Sequence, residues 1–185
     1  NATLHPQEQS SVLFVTDSGI FMPFFRENNA LLPCFCIFFV EEVYTMSKMK
    51  NVKVILWGLG AMGGGIGKML VKKQGVDIVG AIDIGDKIGK SMYDVVPGIE
   101  RGDREDVIVG TPEDVIKPGS ADIVVVCTNS FTKDVYDKLV FVMERGINVI
   151  TSAEEMAYPQ AQEPELAKQL DDIAKKNGVT VLGTG

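Results

Sequence analysis

From Ser47 onward the sequence predicts an α/β fold, a doubly wound parallel sheet, on three observations. Apolar runs recur with no polar alternation, as in strands buried on both faces. Segments with the i, i+3, i+4 pattern of amphipathic helices separate them. Glycines, prolines and capping residues mark the boundaries. Six strands alternating with helices over about 135 residues imply right-handed crossovers that lay helices on both faces of one sheet.

The first strand is 52–57, a β-branched apolar run that stops at Gly58. A helix follows over 62–74, with Ile66, Met69 and Leu70 on one face and Lys68, Lys72 and Lys73 off it. Gly75 closes it where a left-handed residue is wanted. The second strand, 76–82, ends at Asp83. A short helix over 87–95, a charged loop over 97–106 and a brief strand over 107–109 come next. Thr111-Pro112-Glu113-Asp114 then opens a helix: Thr caps, Pro takes the first position, and the acids face the positive end of the dipole. The strand 121–127 contains Ile-Val-Val-Val; a helix over 132–145 stops at Gly146; and 148–151 is the next strand. Capping of that helix by Ser130 or Thr132 is the competing reading of the polar segment 127–130, compatible with ligand binding by its other residues. The last helix, 164–177, is capped by Gly178, and the strand 179–182 precedes Gly183-Thr184-Gly185.

The chain has 185 residues, 45% hydrophobic and 23% charged, with 19 Gly and 8 Pro. This excludes collagen-like, disordered and disulfide-scaffold classes. A net charge of −7 argues against a nucleic-acid partner, which needs a basic face. Apolar runs fall short of about 18 residues, so no membrane span is expected. The three cysteines, Cys34, Cys36 and Cys127, have no metal-ligand spacing, and the one histidine is His5; no metal site is expected. Cys127, with no histidine to activate it, reads as a small buried hydrophobe.

Residues 1–46 differ in composition from the rest. They hold seven of the nine Phe, one Gly, one basic residue (Arg26) and no Lys. Three readings compete: a signal peptide, disfavoured by Pro33 and the flanking charges; a docking segment, since clustered exposed Phe is an aggregation liability; and an upstream translated stretch with the start at Met46 or Met49. The last is preferred. The expected domains are therefore 1–46, an atypical extension, and 47–185, the globular domain.

Gly58-Leu59-Gly60-Ala61-Met62-Gly63 is a GxGxxG string between the first strand and the first helix. In that context it reads as a dinucleotide fingerprint. Gly58 permits the tight turn, Gly60 lets the backbone approach a pyrophosphate, and Gly63 lets the helix pack on the strand. Amides at Ala61 and Met62, with the helix dipole, then face the phosphates. The competing reading is a turn that only joins strand to helix. Asp83, at the end of the second strand, stands where a ribose-binding acid belongs and favours the fingerprint. A P-loop is excluded, because Met62 and Met69 occupy required Gly and Ser/Thr positions. The cofactor is NAD or NADP, with NAD favoured because a carboxylate repels a 2′-phosphate. Lys87 and Lys90 offset that repulsion in part, although solvated lysines are the preferred reading of both.

Ligands of open parallel sheets lie beyond the carboxyl ends of the strands. Thr128, Asn129 and Ser152 are there, suited to the nicotinamide side. Glu154 and Glu155 follow, as candidate substrate-side carboxylates or as a solvated acidic turn.

With these residues in place, the segment after Met49 resembles the N-terminal, Rossmann-type domain of the dihydrodipicolinate reductase superfamily. The likeness rests on Lys53-Val-Ile-Leu-Trp-Gly-Leu-Gly-Ala-Met-Gly63, on Val79-Gly-Ala-Ile-Asp83, on Val149-Ile-Thr-Ser-Ala-Glu-Glu155 and on the closing Val-Leu-Gly-Thr-Gly185. The resemblance points to an amine-oxidising branch acting on a 2,4-diaminopentanoate-like diamino acid in ornithine degradation. It implies hydride transfer to NAD(P), release of ammonia, a cytoplasmic homo-oligomeric enzyme, and a C-terminal substrate domain missing from this chain. The His-rich stretch and the following lysine of true reductases are absent, which leaves that activity unsupported. Alternatives are a reductase of lysine biosynthesis, a homoserine-dehydrogenase-like oxidoreductase, or a non-catalytic NAD(H)-sensing module.

Overall fold

The computed structural model describes residues 24–27, 30–33 and 50–185. The chain divides into two units, between Met49 and Lys50, each described by itself. In the first, strand β1 (Phe24–Glu27) pairs antiparallel with β2 (Ala30–Pro33). The other expectations for residues 1–46, including those on His5, Cys34 and Cys36, lie outside the described residues.

The second unit is an α/β layered domain. Its elements run β3 (Val52–Trp57), α1 (Ala61–Leu70), β4 (Val76–Ile82), α2 (Met92–Val95), β5 (Val109–Gly110), α3 (Pro112–Val115), β6 (Ile123–Val126), α4 (Thr132–Met143), β7 (Asn148–Thr151), α5 (Pro164–Asn177) and β8 (Val181–Gly183). The six strands pair in parallel in the order β5-β4-β3-β6-β7-β8. Sequence order thus runs outward from β3 to one edge, returns, and runs from β6 to the other. The reversal between β3 and β6 is the topological switch point of a doubly wound sheet.

Alternation along β3 explains the two-sided burial. Ile55 and Trp57 join the core beneath α4 and α5, with Leu139, Met143 and Leu170. Val54 and Leu56 join the opposite core, with Leu59, Met92 and Val96. Trp57 meets Phe141 edge to face, with ring centroids 6.1 Å apart. Helix α1 lies close to the sheet at Gly67 and close to the end of α2 at Gly64: a Cβ at Gly67 meets Leu56 and one at Gly64 meets Val96, each at 3.1 Å.

Several boundaries move from the sequence expectation, each for a local reason. The expected helix 62–74 ends at Leu70, because the amides of Lys72 and Lys73 bond three residues back and tighten the last turn. Gly75 is left-handed as expected, with φ +78°. The expected helix 87–95 is broken at Gly89 (φ +83°) into a 3₁₀ turn, Gly85–Lys87, and α2. The expected strand 107–109 joins the parallel sheet only at Val109, since 107–109 first bonds back to 89–92: Met92 N–H donates to the Val107 carbonyl and Gly89 N–H to that of Val109. Strand β8 starts two residues late because Val179 N–H still closes α5 on the Ala174 carbonyl. Thr111 caps α3 through Oγ, as expected, while the strand 148–151 and the helix 164–177 have the expected bounds. Among the described residues no helix is long and apolar enough to cross a membrane.

Candidate dinucleotide site

The glycine loop crosses the switch point. Gly58 N–H donates to the Ile82 carbonyl at 2.8 Å, and Cys127 N–H donates to the Trp57 carbonyl at 2.7 Å, so β3 ends locked between β4 and β6. Gly58 then turns at φ +97°, and a Cβ there would stand 2.5 Å from the Cys127 carbonyl oxygen. Gly63 faces back onto this turn; a Cβ on it overlaps the Gly58 carbonyl oxygen and lies 3.3 Å from Cys127 Cβ. Two of the three fingerprint glycines are thus required by the packing itself.

Gly60 is different. It has φ −77° and ψ −160°, open to any residue, and a Cβ there meets nothing within 4 Å. It sits at the N-cap of α1, where Ser, Thr, Asp or Asn is preferred, yet no side chain caps the helix and its first turn holds no acid. The first intrahelical bond runs from Gly64 N–H to the Gly60 carbonyl at 2.8 Å, so Ala61, Met62 and Gly63 present the opening amides. Ala61 and Met62 are exposed.

Asp83 closes the other side. Its Oδ2 accepts from Leu59 N–H at 2.7 Å and from Lys87 Nζ at 2.8 Å, and Oδ1 accepts from Ile84 N–H at 2.7 Å. Burial pulls the carboxyl upward, but the Lys87 ammonium and the Ile84 and Leu59 amides outweigh it and hold its pKa below the ordinary value. A depressed carboxyl contributes stability above its ordinary pKa, lost as pH falls through the lower folded value. Ile84, directly after it, is 80% exposed, an apolar ledge beside the carboxylate.

Beyond β6 and β7 two loops are stitched together. Thr128 and Asn129 are exposed, and Asn129 Oδ1 accepts from Lys138 Nζ at 3.0 Å. Half-buried Ser152 donates its amide to the Val126 carbonyl at 3.1 Å. Burial raises the Cys127 thiol, with a hydrogen bond to Ser152 opposing in part, which is the behaviour of a packed cysteine. Glu155 turns inward: Oε2 accepts the Thr132 amide at 2.6 Å, and its own amide donates to the Ser130 carbonyl at 3.1 Å. The cap of α4 is therefore this carboxylate and not Ser130 or Thr132, because Phe131 holds the N-cap position and the Thr132 hydroxyl is buried without a partner. Glu154 is the outward-facing acid of the pair. Its own backbone N–H and the Ser130 hydroxyl hold its pKa below the ordinary value. The Gly183-Thr184 end backs this turn, with Thr184 N–H on the Thr151 carbonyl at 3.0 Å.

The sequence reading brought together the glycine loop and Asp83, and the structure places them in direct contact through Leu59. It missed the Lys87–Asp83 pair, which closes across the short turn Gly85–Lys87 and not along a helix face, so no spacing rule signals it. It also missed the Glu155 cap, which joins residues 23 apart and leaves no local pattern.

Over 137 residues, 74% of its length, the chain is 63% identical to 2,4-diaminopentanoate dehydrogenase from Acetoanaerobium sticklandii, and it spans 38% of that relative. The structure of amine dehydrogenase from Mycobacterium smegmatis matches with a TM-score of 0.65 and 36% identity, over 74% of this chain and 40% of that one. The residues after 49 have a Rossmann-type α/β fold. Its likeness to an amine-oxidising dehydrogenase, expected from the sequence, holds. S. aureus homoserine dehydrogenase, at 18% identity and a TM-score of 0.54 over 74% of this chain and 32% of that one, shares the fold. No family model matches the chain. The chain spans about two-fifths of the relatives it matches.

Proposed function

We propose that residues 47–185 are the cofactor-binding domain of an enzyme that oxidatively deaminates a diamino acid, with NAD favoured over NADP. The observation that carries this is Gly60. Nothing in the fold requires a glycine there: a Cβ at Gly60 meets nothing within 4 Å, and no side chain caps the helix that opens at this residue. A diphosphate satisfies the amides of a helix N-terminus and needs a bare backbone beside it.

In this reading the amides of Ala61, Met62 and Gly63 hold the diphosphate and Asp83 accepts from the ribose hydroxyls. Thr128, Asn129 and Ser152 line the nicotinamide side. A bound nicotinamide would supply the acceptor for a hydride from the amine-bearing carbon, and hydrolysis of the resulting iminium would release ammonia. Glu154, anionic and outward-facing, is the group on this chain suited to attract the substrate's ammonium. The 2,4-diaminopentanoate dehydrogenase relative supports a diamino substrate.

Gly60→Thr tests the cofactor reading. Threonine is an acceptable N-cap with an accessible backbone, so stability should stay within about 0.5 kcal/mol. NADH affinity should fall at least about tenfold, through a side chain in the diphosphate's place. Equal affinity in variant and parent overturns the assignment. Glu154→Gln, in an enzyme that also carries a substrate domain, is expected to raise KM for the diamine and leave NADH affinity alone; an unchanged KM removes Glu154 from the substrate site.

A further inference from the structure

Glu154 and Glu155 are neighbours in sequence with different surroundings. Glu154 is exposed on the short 3₁₀ turn Glu154–Ala157, where its carboxylate meets its own amide and the Ser130 hydroxyl. Glu155 is half-buried and holds the chain on either side of Phe131: its N–H donates to the Ser130 carbonyl at 3.1 Å, and Oε2 accepts the Thr132 N–H at 2.6 Å. The residue that meets the Glu154 carboxylate is thus itself fixed by Glu155. Helix α4 does not need this arrangement. A Ser, Thr, Asp or Asn at the N-cap closes a helix locally. Phe131, 61% exposed, holds that position instead, and the Thr132 hydroxyl is buried without a partner among the described residues. The cap comes from 23 residues further along the chain. It therefore ties the loop after β6 to the loop after β7, at the carboxyl ends of two paired strands, where ligands of open parallel sheets lie.

A carboxylate free to turn about its side-chain bonds spreads its charge through solvent. One met by a fixed hydroxyl presents that charge in one direction, which is the condition for orienting a ligand. We propose that Glu155 is a positioning residue: it holds Ser130 in place and, through the Ser130 hydroxyl, sets where the Glu154 carboxylate stands toward the substrate's ammonium. This rests on the substrate-side reading of Glu154 and adds to it how that carboxylate is held. Glu155 is also a like charge beside Glu154, which on its own pushes the Glu154 pKa up. Positioning acts in the opposite sense, because a well-placed hydroxyl donor favours the ionised form. Lys133 also faces Glu155, and its ammonium is bonded to Glu163 at 2.7 Å. The substitutions below leave that pair intact.

The experiment is an NMR titration of the Glu154 side-chain carboxyl, with amide exchange at Thr132, in the parent and in Glu155→Gln, Glu155→Asp and Ser130→Ala. A thermal melt of each establishes that it is folded. Glu155→Gln removes the charge and keeps an oxygen for the Thr132 amide; Glu155→Asp keeps the charge and withdraws it by one methylene. Glu154 should titrate no higher than in the parent in Glu155→Gln. It should move up toward the ordinary carboxylate value in Glu155→Asp and in Ser130→Ala. Exchange at Thr132 should quicken about fivefold or more in Glu155→Asp, the scale of a lost helix cap, and stay near the parent in Ser130→Ala. The double variant, Ser130→Ala with Glu155→Asp, should titrate as Ser130→Ala does alone, since both changes act through one hydroxyl. A Glu154 titration unmoved in Glu155→Asp, or raised in Glu155→Gln, overturns the positioning role, and additive shifts in the double variant overturn the route through Ser130. No diamine enters these measurements, so the positioning role stands or falls apart from the substrate role of Glu154, which the KM of Glu154→Gln decides.

Discussion

Gly63→Ala should cost the domain about 3 kcal/mol or more and shift its melting temperature down by roughly 10 °C. One methyl group is small, but its place is occupied. A Cβ at Gly63 overlaps the Gly58 carbonyl oxygen and comes within 3.0 Å of the Gly58 carbonyl carbon. Neither side can yield cheaply. Gly58 is held by its own amide on Ile82 and turns at φ +97° against Cys127, while Gly63 belongs to the first turn of α1. The helix must lift from the sheet, which opens the cores at Gly64 and Gly67 where Val96 and Leu56 are already close. Nucleotide binding should vanish with it, because the amides move with the helix. The same substitution at Gly65 is the control. Gly65 is exposed and a Cβ there meets nothing within 4 Å, so alanine should stabilise the helix by up to about 1 kcal/mol. A Gly63→Ala protein as stable as its parent would show that the close approach of turn and helix is not a constraint.

The second large effect is expected at the other end of the chain. In Gly183→Ala the new methyl overlaps the carbonyl of Met156 and lies 2.7 Å from Met156 Cβ. Met156 is 5% exposed and belongs to the turn Glu154–Ala157, so it has nowhere to retreat. A loss of about 3 kcal/mol is expected, as overpacking against backbone is not relieved by a rotamer change. The displacement should also loosen the Glu155 carboxylate from the Thr132 amide, since both glutamates are on the displaced turn. Thermal melting reads the first consequence; amide exchange at Thr132 reads the second. Exchange at Thr132 unchanged in a destabilised variant would separate the turn from the cap of α4.

The sheet was legible in the sequence because burial on both faces leaves apolar runs such as Ile123–Val126 that no surface segment shows. The long helices were legible because a single stripe, as in Pro164–Asn177 with Ala167, Leu170 and Ala174 inward, repeats often enough to be seen. Residues 84–110 were not. They bond sideways to one another, Ser91 to Asp106 and Lys90 to Val109, and such pairings at low periodicity have no signature in one dimension. The same contrast holds at the site. Gly58, Gly60, Gly63 and Asp83 are separated by spacings that the βαβ unit itself dictates, so the sequence alone brings them to one loop and one strand end. Glu155, read either as a substrate-side candidate or as part of a solvated acidic turn, is bonded inward to α4, a choice made by two loops meeting in space. Lys87 was read as solvated because exposure is the common state of lysine, and only the geometry shows its partner.

A crystal structure of the protein grown with NAD addresses the central claim at atomic resolution. The expected result is a diphosphate within hydrogen-bond distance of the Ala61, Met62 and Gly63 amides, over the bare Cα of Gly60, with ribose hydroxyls on Asp83. Nucleotide bound elsewhere, or those amides engaged by the protein's own side chains with NAD present at saturation, would contradict it.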